Sequence, residues 1–358
     1  MARAPKVVEA LPESDRFGEA PHPRETMRLI GHARAEAALL EGYRSGRLAQ
    51  AWLIGGREGI GKATLAWRLT KFLLANPDPG LPAVQRATDL SVDPESPAVR
   101  RVRSLSHGDV GLLRRSWNEK TKKHFTEIRI DDVRNVLDLF RQAPGEGGWR
   151  IAIVDSAEDL NRSSANALLK MIEEPPPRSL FLIVSHKPAQ VLPTIRSRCR
   201  RLLLEPLTDE EVAEAVRGTG ADRGHQPGEI AAAAAKAGGS VREALRLLDG
   251  EGLELTRRLE ALFARLPDVD WNAVHTLADQ VAARDKTSEY EALVNGVYDW
   301  LDARVRAGGP PRRLAPFAEV WEKTAAAARE TEVLNLDRRP LILSIFADLS
   351  SAARAART

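Results

Sequence analysis

The chain has 358 residues, of which 43% are hydrophobic, and this is enough for a folded protein of two or three domains. A formal net charge of +3 is small for this length and does not require a nucleic-acid partner. The single cysteine, Cys199, excludes an internal disulfide and a cysteine-based zinc site. Because no apolar run approaches the roughly 18 residues of a membrane span, we expect a cytoplasmic protein.

The N-terminal half predicts an arm followed by alternating strands and helices. Residues 1–24 carry several prolines and little periodicity, which predicts a flexible arm. The pattern is helical from Ala33 to Tyr43, and Ala51–Ile54 predicts a short strand that runs through a glycine-rich loop into a helix. The irregular residues 76–125 are interpreted as an insertion. A strand at Phe125–Ile130 and an amphipathic helix follow it.

Two fully apolar strands dominate the next part of the chain. They are Ile151–Val154 and Leu180–Val184, separated by a helix at Ser163–Glu173, and Leu202–Leu204 offers one more strand. Uninterrupted apolar strands that alternate with helices indicate a parallel sheet covered on both faces. The fold class is therefore predicted as α/β.

The chain becomes helical beyond residue 206. Residues 206–250 predict a small helical domain, and 251–358 predict a further all-helical domain with apolar residues at helical spacing. The predicted organisation is a flexible arm, an α/β core at 25–205 and these two helical domains.

The loop after the first strand nearly matches a phosphate-binding loop. Gly56, Gly61 and Lys62 fit the pattern of glycine, four residues, glycine and lysine, which lets backbone N–H groups cradle a polyphosphate. The position that normally holds a serine or threonine is Ala63. That hydroxyl binds the magnesium ion used in phosphoryl transfer, so its loss argues against hydrolysis more than against binding. Thr64, one residue on, is predicted to point elsewhere on the helix.

A second substitution affects the strand that ends at Asp155. In a working ATPase of this layout an aspartate that holds magnesium is followed by a glutamate that positions the attacking water, but here Ser156 follows. Glu158 is nearby, although it lies two positions late. Two independent losses, at Ala63 and Ser156, together predict a nucleotide site without efficient turnover.

Two arginines are candidates for contact with polyphosphate. Arg198 follows the last apolar strands, and an arginine donated to a neighbouring subunit can raise phosphoryl-transfer rates by roughly 10³ to 10⁵. Arg242 opens a helix of the small helical domain, where it is predicted to face a nucleotide. The alternative for each is an ordinary surface arginine or helix start. The predicted nucleotide-binding residues are Gly56, Gly59, Gly61, Lys62, Ala63, Thr64, Asp155 and Arg242.

A basic cluster occupies the insertion and includes one tryptophan. A solvated surface is the default interpretation, and contact with DNA or an acidic partner is the alternative. Its members are Arg100, Arg101, Arg103, Arg114, Arg115, Trp117, Lys120, Lys122 and Lys123.

Together with the glycine loop, five segments carry a resemblance to a known family over nearly the whole chain after the arm. The segments are Ile30–His32, Gly46–Leu53, Asn166–Lys170, Glu173–Pro176 and Ser197–Cys199. With them the chain resembles the delta-prime subunits of the bacterial DNA polymerase III clamp loader, within the AAA+ superfamily. Two of these features, Asn166–Lys170 taken together with Glu173–Pro176 and Ser197–Cys199, are specific to clamp-loader ATPase relatives.

The resemblance implies an AAA+ core, a helical lid and a C-terminal collar. It implies a hetero-pentamer with motor subunits and a clamp-opening subunit, which loads a sliding clamp on primer-template DNA, and no membrane partner. It also implies that Arg198 is an arginine finger acting on the adjacent motor subunit. Polymerase activity would belong to the holoenzyme.

Two departures from the family change what is expected of ligands. Family members often bind zinc through four cysteines after the glycine-loop helix, but residues 76–125 contain none, so we expect no metal. Because the loop is nearly intact, we expect ATP or ADP binding without hydrolysis. The alternatives are an active motor ATPase that uses Thr64 and Glu158, and a stand-alone DNA-binding adaptor that uses the basic insertion.

Overall fold

The chain divides into two compact units. The first unit runs to Leu245 and the second comprises Arg246–Thr358. The expected lid helices therefore fall with the core, and the expected collar at 251–358 falls within the second unit. The computed structural model describes residues 11–141, 143–145, 148–221, 224–249, 252–283, 286–334 and 336–356.

The strands of the first unit form a central sheet and a separate hairpin. In the central sheet the order is β2–β5–β6–β1–β7, and every neighbouring pair is parallel. In the hairpin, β3 and β4 are antiparallel. The strands are β1 (Ala51–Gly55), β2 (Val110–Leu113), β3 (Trp117–Asn118), β4 (Lys123–His124), β5 (Arg150–Asp155), β6 (Ser179–Ser185) and β7 (Arg200–Leu203).

Helices account for the rest of the regular structure in both units. In the first unit they are α1 (Ala33–Arg44), α2 (Lys62–Ala75), α3 (Pro82–Arg86), α4 (Pro97–Arg103), α5 (Ile130–Asp138), α6 (Arg162–Glu173), α7 (Pro193–Arg196), α8 (Asp209–Thr219), α9 (Pro227–Lys236) and α10 (Val241–Leu248), which crosses the boundary. In the second unit they are α11 (Gly252–Ala264), α12 (Trp271–Val281), α13 (Thr287–Arg306), α14 (Pro311–Val333) and α15 (Arg338–Ala355).

Alternating side chains of the central strands build one core on each face of the sheet. Ile153 and Leu182 belong to the core that includes residues of α1 and α2, whereas Val154, Phe181 and Ile183 belong to the core that includes α5 and α6. Each such side chain contributes roughly 1.5–3 kcal/mol when it leaves water. Because both faces are covered, Ile151–Val154 of β5 and Leu180–Val184 of β6 are apolar throughout, as the sequence predicts.

The second unit is a helical bundle with its own core. Phe263 and Phe346 stack with ring centroids 6.0 Å apart, among buried aliphatic side chains such as Leu277, Val297 and Ile345. No helix within the described residues is long and apolar enough to span a membrane.

The prediction of a strand at Phe125–Ile130 is wrong, and the insertion is more regular than expected. That stretch contributes one isolated bridge, between Ile128 and Leu160, and the edge strand is β2 instead. Gly111 weakens the strand signal of β2, but a Cβ there would lie 2.4 Å from Cγ1 of Val136. The glycine is required because α5 packs closely on this strand. Residues 76–125 also hold α3, α4 and the β3–β4 hairpin.

The expected flexible arm is also wrong for its described part, residues 11–24. The His22 side chain is fully buried, and its Nε2 lies 2.9 Å from Oδ2 of Asp15, which is 3% exposed. Glu13 is paired with Arg16, Arg24 and Arg114. Although burial acts to raise the pKa of Glu13, these hydrogen bonds lower it to about 2. Charged residues that suggest a solvated arm here pair with one another and pack.

Replacing Gly111 by alanine is expected to lower the free energy of unfolding by about 1–3 kcal/mol, because the new methyl group would overlap Val136. Urea unfolding followed by fluorescence measures the change. Gly108→Ala is the matched control, because a Cβ at Gly108 meets no atom within 4 Å. The double variant Gly111→Ala/Val136→Ala should recover part of the loss. Equal stability of the two single variants would contradict the close packing of α5 on β2.

Candidate nucleotide site

The glycine loop joins β1 to α2 and leaves no room for side chains. Gly56, Gly59 and Gly61 have φ values of 145°, 77° and 102°, in the region that favours glycine. A Cβ on Gly56 would lie 2.6 Å from the Leu204 carbonyl oxygen, and one on Gly59 would lie 2.3 Å from Oγ of Ser240. The loop backbone thus packs closely against Leu204 and Ser240. The loop leads directly into the N-terminus of α2, and a helix N-terminus favours anions.

A cavity of about 650 Å³ lies over this loop, within the size range of small-molecule sites. Its wall combines the loop with the ends of β5 and β6, the segment of residues 14–30 and the helical residues 207–245. Because the carboxyl ends of parallel strands meet at one edge of a sheet, Gly55, Asp155 and Ser185 end at the same edge.

Lys62, the first residue of α2, is a cation of the cavity wall. Its side chain is buried, and Nζ donates a hydrogen bond to the Arg57 carbonyl oxygen at 2.5 Å. Burial lowers the pKa of Lys62 to about 8, against the opposing influence of Asp155 and of nearby glutamates. The ammonium group is therefore poorly compensated, and further negative charge in the cavity would stabilise it.

Asp155 lies in the cavity wall at the end of β5, at the same edge of the sheet as the glycine loop. Burial raises the pKa of Asp155 to about 7, and the neighbouring Asp15 carboxylate adds to the rise. Ser156, which also lines the cavity, brings no second carboxylate.

Glu158 is engaged by the end of β6. Its Oε1 accepts hydrogen bonds from Oγ of Ser185 at 2.5 Å and from the backbone N–H of Lys187 at 2.8 Å. Burial acts to raise the pKa of Glu158, but these hydrogen bonds lower it below its ordinary value. The first carboxylate after Ser156 is thus held as a hydrogen-bond acceptor by Ser185 and Lys187.

Ala63 and Thr64 both border the cavity. That the Thr64 side chain points elsewhere on the helix than Ala63 stays a prediction. Both residues lie in the first turn of α2, which begins at Lys62 beside the cavity, so consecutive residues reach its wall.

Arg242 and the start of α10 are joined to the glycine loop by several contacts. Nη1 of Arg242 lies 2.9 Å from Oε1 of Glu58, and its guanidinium lies 4.9 Å from the centre of the Phe17 ring. The backbone N–H of Val241 donates to the Gly59 carbonyl oxygen at 2.9 Å. These contacts place Arg242 in the cavity wall, where the sequence predicts it to face a nucleotide.

Arg198 does not line the cavity. It lies between α7 and β7 with its side chain 41% exposed, and Nε is 2.6 Å from Oε1 of Glu173 at the end of α6. An exposed ion pair of this kind contributes at most about 1 kcal/mol to stability. Glu173 therefore favours one direction of the Arg198 side chain but holds it only weakly. The guanidinium is available for a partner outside this chain's own cavity.

Several residues of the cavity wall are absent from the sequence-based prediction. His186 directly follows β6, so the rule that places Asp155 at the sheet edge also identifies it; burial lowers its pKa. Asp15 and Phe17 had no such signal, because they come from a segment without periodicity. Arg115 also lines the cavity and lies 3.5 Å from Asp159.

The parallel sheet order, the glycine loop at the N-terminus of α2 and the helices joined to that loop define an α/β protein of the AAA+ class. A profile of the family described as DNA polymerase III, delta subunit, matches residues 31–208. Over these residues the chain belongs to this DNA polymerase III family.

Curated relatives carry the names of different subunits of this complex. DNA polymerase III subunit tau of Salmonella typhimurium is 30% identical over 74% of this chain and 41% of its own length. Subunit tau of Escherichia coli is 28% identical over 88% of this chain and 47% of its own length. Subunit delta' of Pseudomonas aeruginosa is 34% identical over 42% of each chain. This chain thus spans less than half the length of these relatives.

Replacing Asp155 by asparagine is expected to stabilise the protein relative to wild type, and this gain in stability should be larger at about pH 7.5 than at about pH 5. The pKa of Asp155 is raised from 3.8 to about 7, so its stabilising contribution is present below about pH 4 and is lost as the pH rises through about 7. Asparagine cannot ionise, and the cost of charging the buried group disappears. Urea midpoints of wild type and variant at both pH values measure the difference.

The control for this pH dependence is Asp131→Asn, at a side chain that is 72% exposed. Its effect should be small and similar at both pH values. If Asp155→Asn and Asp131→Asn shifted the midpoints in parallel, the raised pKa of Asp155 would be refuted.

Proposed function

We propose that this chain is the delta-prime subunit of a DNA polymerase III clamp loader. In this proposal it binds ATP or ADP without hydrolysing it, donates Arg198 to a neighbouring ATPase subunit and helps to load a sliding clamp on primed DNA. Its partners are the motor subunits and the clamp-opening subunit of a hetero-pentamer.

The phosphate-binding part of the cavity supports nucleotide binding. Gly59, Gly61 and the start of α2 line the cavity, and Lys62 lacks a full counter-charge. A bound polyphosphate would accept hydrogen bonds from these groups, and Arg242 would supply a further cation. Arg57 and Glu58, which now hold Lys62 and Arg242, are neighbours in the same loop, so nucleotide would compete with these contacts.

One observation carries the absence of hydrolysis: the cavity keeps its phosphate-binding groups but lacks both groups that serve the hydrolytic step. Ala63 offers no oxygen for magnesium, and Ser156 offers no carboxylate to position water. Glu158 is a poor substitute because Ser185 and Lys187 already occupy its carboxylate. Asp155, with a pKa of about 7, also charges less readily than an ordinary magnesium ligand.

The exposure of Arg198 outside this cavity supports its action on a neighbour. A planar guanidinium oriented by Glu173 at the protein surface is suited to bidentate contact with phosphate oxygens. A chain that donates an arginine needs no hydrolytic site of its own, so the two observations are consistent with one role.

An active motor subunit is the second candidate. It is favoured by Thr64, whose position in the cavity wall would allow its hydroxyl to replace the one missing at Ala63. Relatives named tau also match most of the chain. The two candidates differ in whether the isolated chain hydrolyses ATP.

Replacing Arg198 by alanine is expected to reduce ATP turnover in the reconstituted complex, while the isolated wild-type chain hydrolyses none. The loss should be roughly 10³- to 10⁵-fold at the one site that Arg198 completes, and total turnover should fall by that site's share. Steady-state phosphate release in the presence of primed DNA measures the effect.

The control for this experiment is Arg201→Ala, an exposed arginine on the neighbouring strand β7. It should leave turnover unchanged, and size-exclusion chromatography should show equal assembly of both variants. Hydrolysis by the isolated chain that is lost in Lys62→Ala would replace this proposal with the motor subunit.

Restoring the missing groups should restore chemistry in two stages. Ala63→Ser supplies a magnesium ligand and is expected to make ATP binding magnesium-dependent without appreciable turnover. Ala63→Ser/Ser156→Glu supplies both groups and is expected to raise turnover above that of either single variant. Calorimetric titration with and without magnesium and phosphate release measure the two effects. Turnover by the Ala63→Ser variant equal to that of the double variant would show that Ser156 is not limiting.

A further inference from the structure

The β3–β4 hairpin, residues 116–125, stands outside the central sheet and has a fixed geometry. Trp117 pairs with His124 and Asn118 with Lys123, and the Trp117 and His124 rings meet edge to face with centroids 5.0 Å apart. At the base, the backbone N–H of Phe125 donates to the Ser116 carbonyl oxygen at 2.9 Å. We call residues 116–125 the basic hairpin.

The tip of the basic hairpin is organised by Asn118. Its Oδ1 accepts hydrogen bonds from the backbone N–H groups of Lys120 at 3.0 Å and Thr121 at 3.4 Å, and its carbonyl oxygen accepts one from Lys122 at 2.9 Å. Lys122 adopts a left-handed conformation with φ of 53°, which completes the turn. The backbone that carries the lysines is therefore ordered before any partner binds, which lowers the entropic cost of binding.

The tip carries positive charge that no carboxylate neutralises. Lys120, Lys122 and Lys123 are exposed, and none of their ammonium groups makes an ion pair or hydrogen bond within the part of the chain described. The tip contains one acidic residue, Glu119.

The arginines that flank the hairpin differ from these lysines. Arg114 pairs with Asp15, Arg115 with Asp159 and Arg129 with Asp132. Two arginines of the basic cluster, Arg114 and Arg115, thus pair within the fold, whereas the lysines at the tip do not.

The base of the basic hairpin is tied to the wall of the nucleotide cavity. Ser116 Oγ donates to Oδ2 of Asp132 on α5 at 3.0 Å, and Arg115, the residue before the hairpin, lines the cavity. The hairpin follows the carboxyl end of β2, at the edge of the sheet that also carries the glycine loop. The tip that would hold a partner is therefore only a few residues along the chain from Arg115 in the cavity wall.

We propose that the tip of the basic hairpin binds the phosphate backbone of DNA through Lys120, Lys122 and Lys123, without reading base sequence. Ammonium groups on flexible stems bind phosphates as point charges and suit a repeating anionic backbone better than a single shaped ligand. This surface is additional to the proposed role of Arg198 and does not rest on it, because its test uses the isolated full-length chain and no ATP.

The test compares Lys120→Ala/Lys122→Ala/Lys123→Ala with wild type by fluorescence anisotropy, using labelled primer-template DNA over a range of salt concentrations. The logarithm of the binding constant should fall less steeply with the logarithm of salt, by about 2–3 in slope, because each phosphate contact contributes about 0.9. The charge-matched control is Arg312→Ala/Arg313→Ala/Arg329→Ala, at exposed arginines of the second unit. Its slope should stay that of the wild type.

Three further readouts separate the proposal from its rivals. Replacing the three lysines by arginine should preserve the slope, and circular dichroism should show that both triple variants are folded. A photocrosslinker at Thr121 should label DNA. The proposal is overturned if the alanine triple keeps the wild-type slope, if the control triple loses as much, or if the chain binds no DNA at low salt. Loss of binding to polyglutamate with unchanged DNA affinity would instead assign the tip to an acidic protein.

Discussion

The contact between the glycine loop and the start of α10 is the constraint on which the rest of the site depends. The Val241 N–H donates to the Gly59 carbonyl oxygen, and a side chain at Gly59 would collide with Ser240. Since the loop is also fixed by β1 on one side and α2 on the other, this contact fixes the distance between Gly59 and Val241, which both line the cavity. Any nucleotide that enters must fit between the loop and the helix that carries Arg242.

The electrostatics of the cavity follow from this closure. Burial lowers the pKa of Lys62 and raises that of Asp155, so each group is held near the point at which it loses its charge. A polyphosphate would supply the counter-charge that Lys62 lacks, whereas Ala63 offers no ligand to a magnesium ion beside it. These charges are consistent with the proposal that the site holds nucleotide without turning it over.

The features predicted well from the sequence are those with a short-range physical signal. The apolar strands β5 and β6 and the loop glycines have strong local patterns, so the sheet and the place of Lys62 could be predicted. Strand β2 could not be predicted. Its Gly111 is required because Val136, on a helix more than twenty residues further along the chain, packs against it. The part played by Asp15 and Phe17 was equally inaccessible, because burial of a charged segment depends on partners such as Arg114 and Arg242 that lie far along the chain.

Arg198 and the lysines of the basic hairpin, both exposed, differ in how the fold orders them. Arg198 is exposed, and its ion pair with Glu173 gives the guanidinium a preferred direction. The lysines of the basic hairpin are fixed only through their backbone, and their side chains remain free to follow a repeating anion. A planar, oriented arginine suits one phosphate group in a neighbour's active site, whereas mobile ammonium groups suit a backbone whose register is unimportant. The two kinds of order are consistent with the specific contact proposed for Arg198 and with the non-specific one proposed for the hairpin.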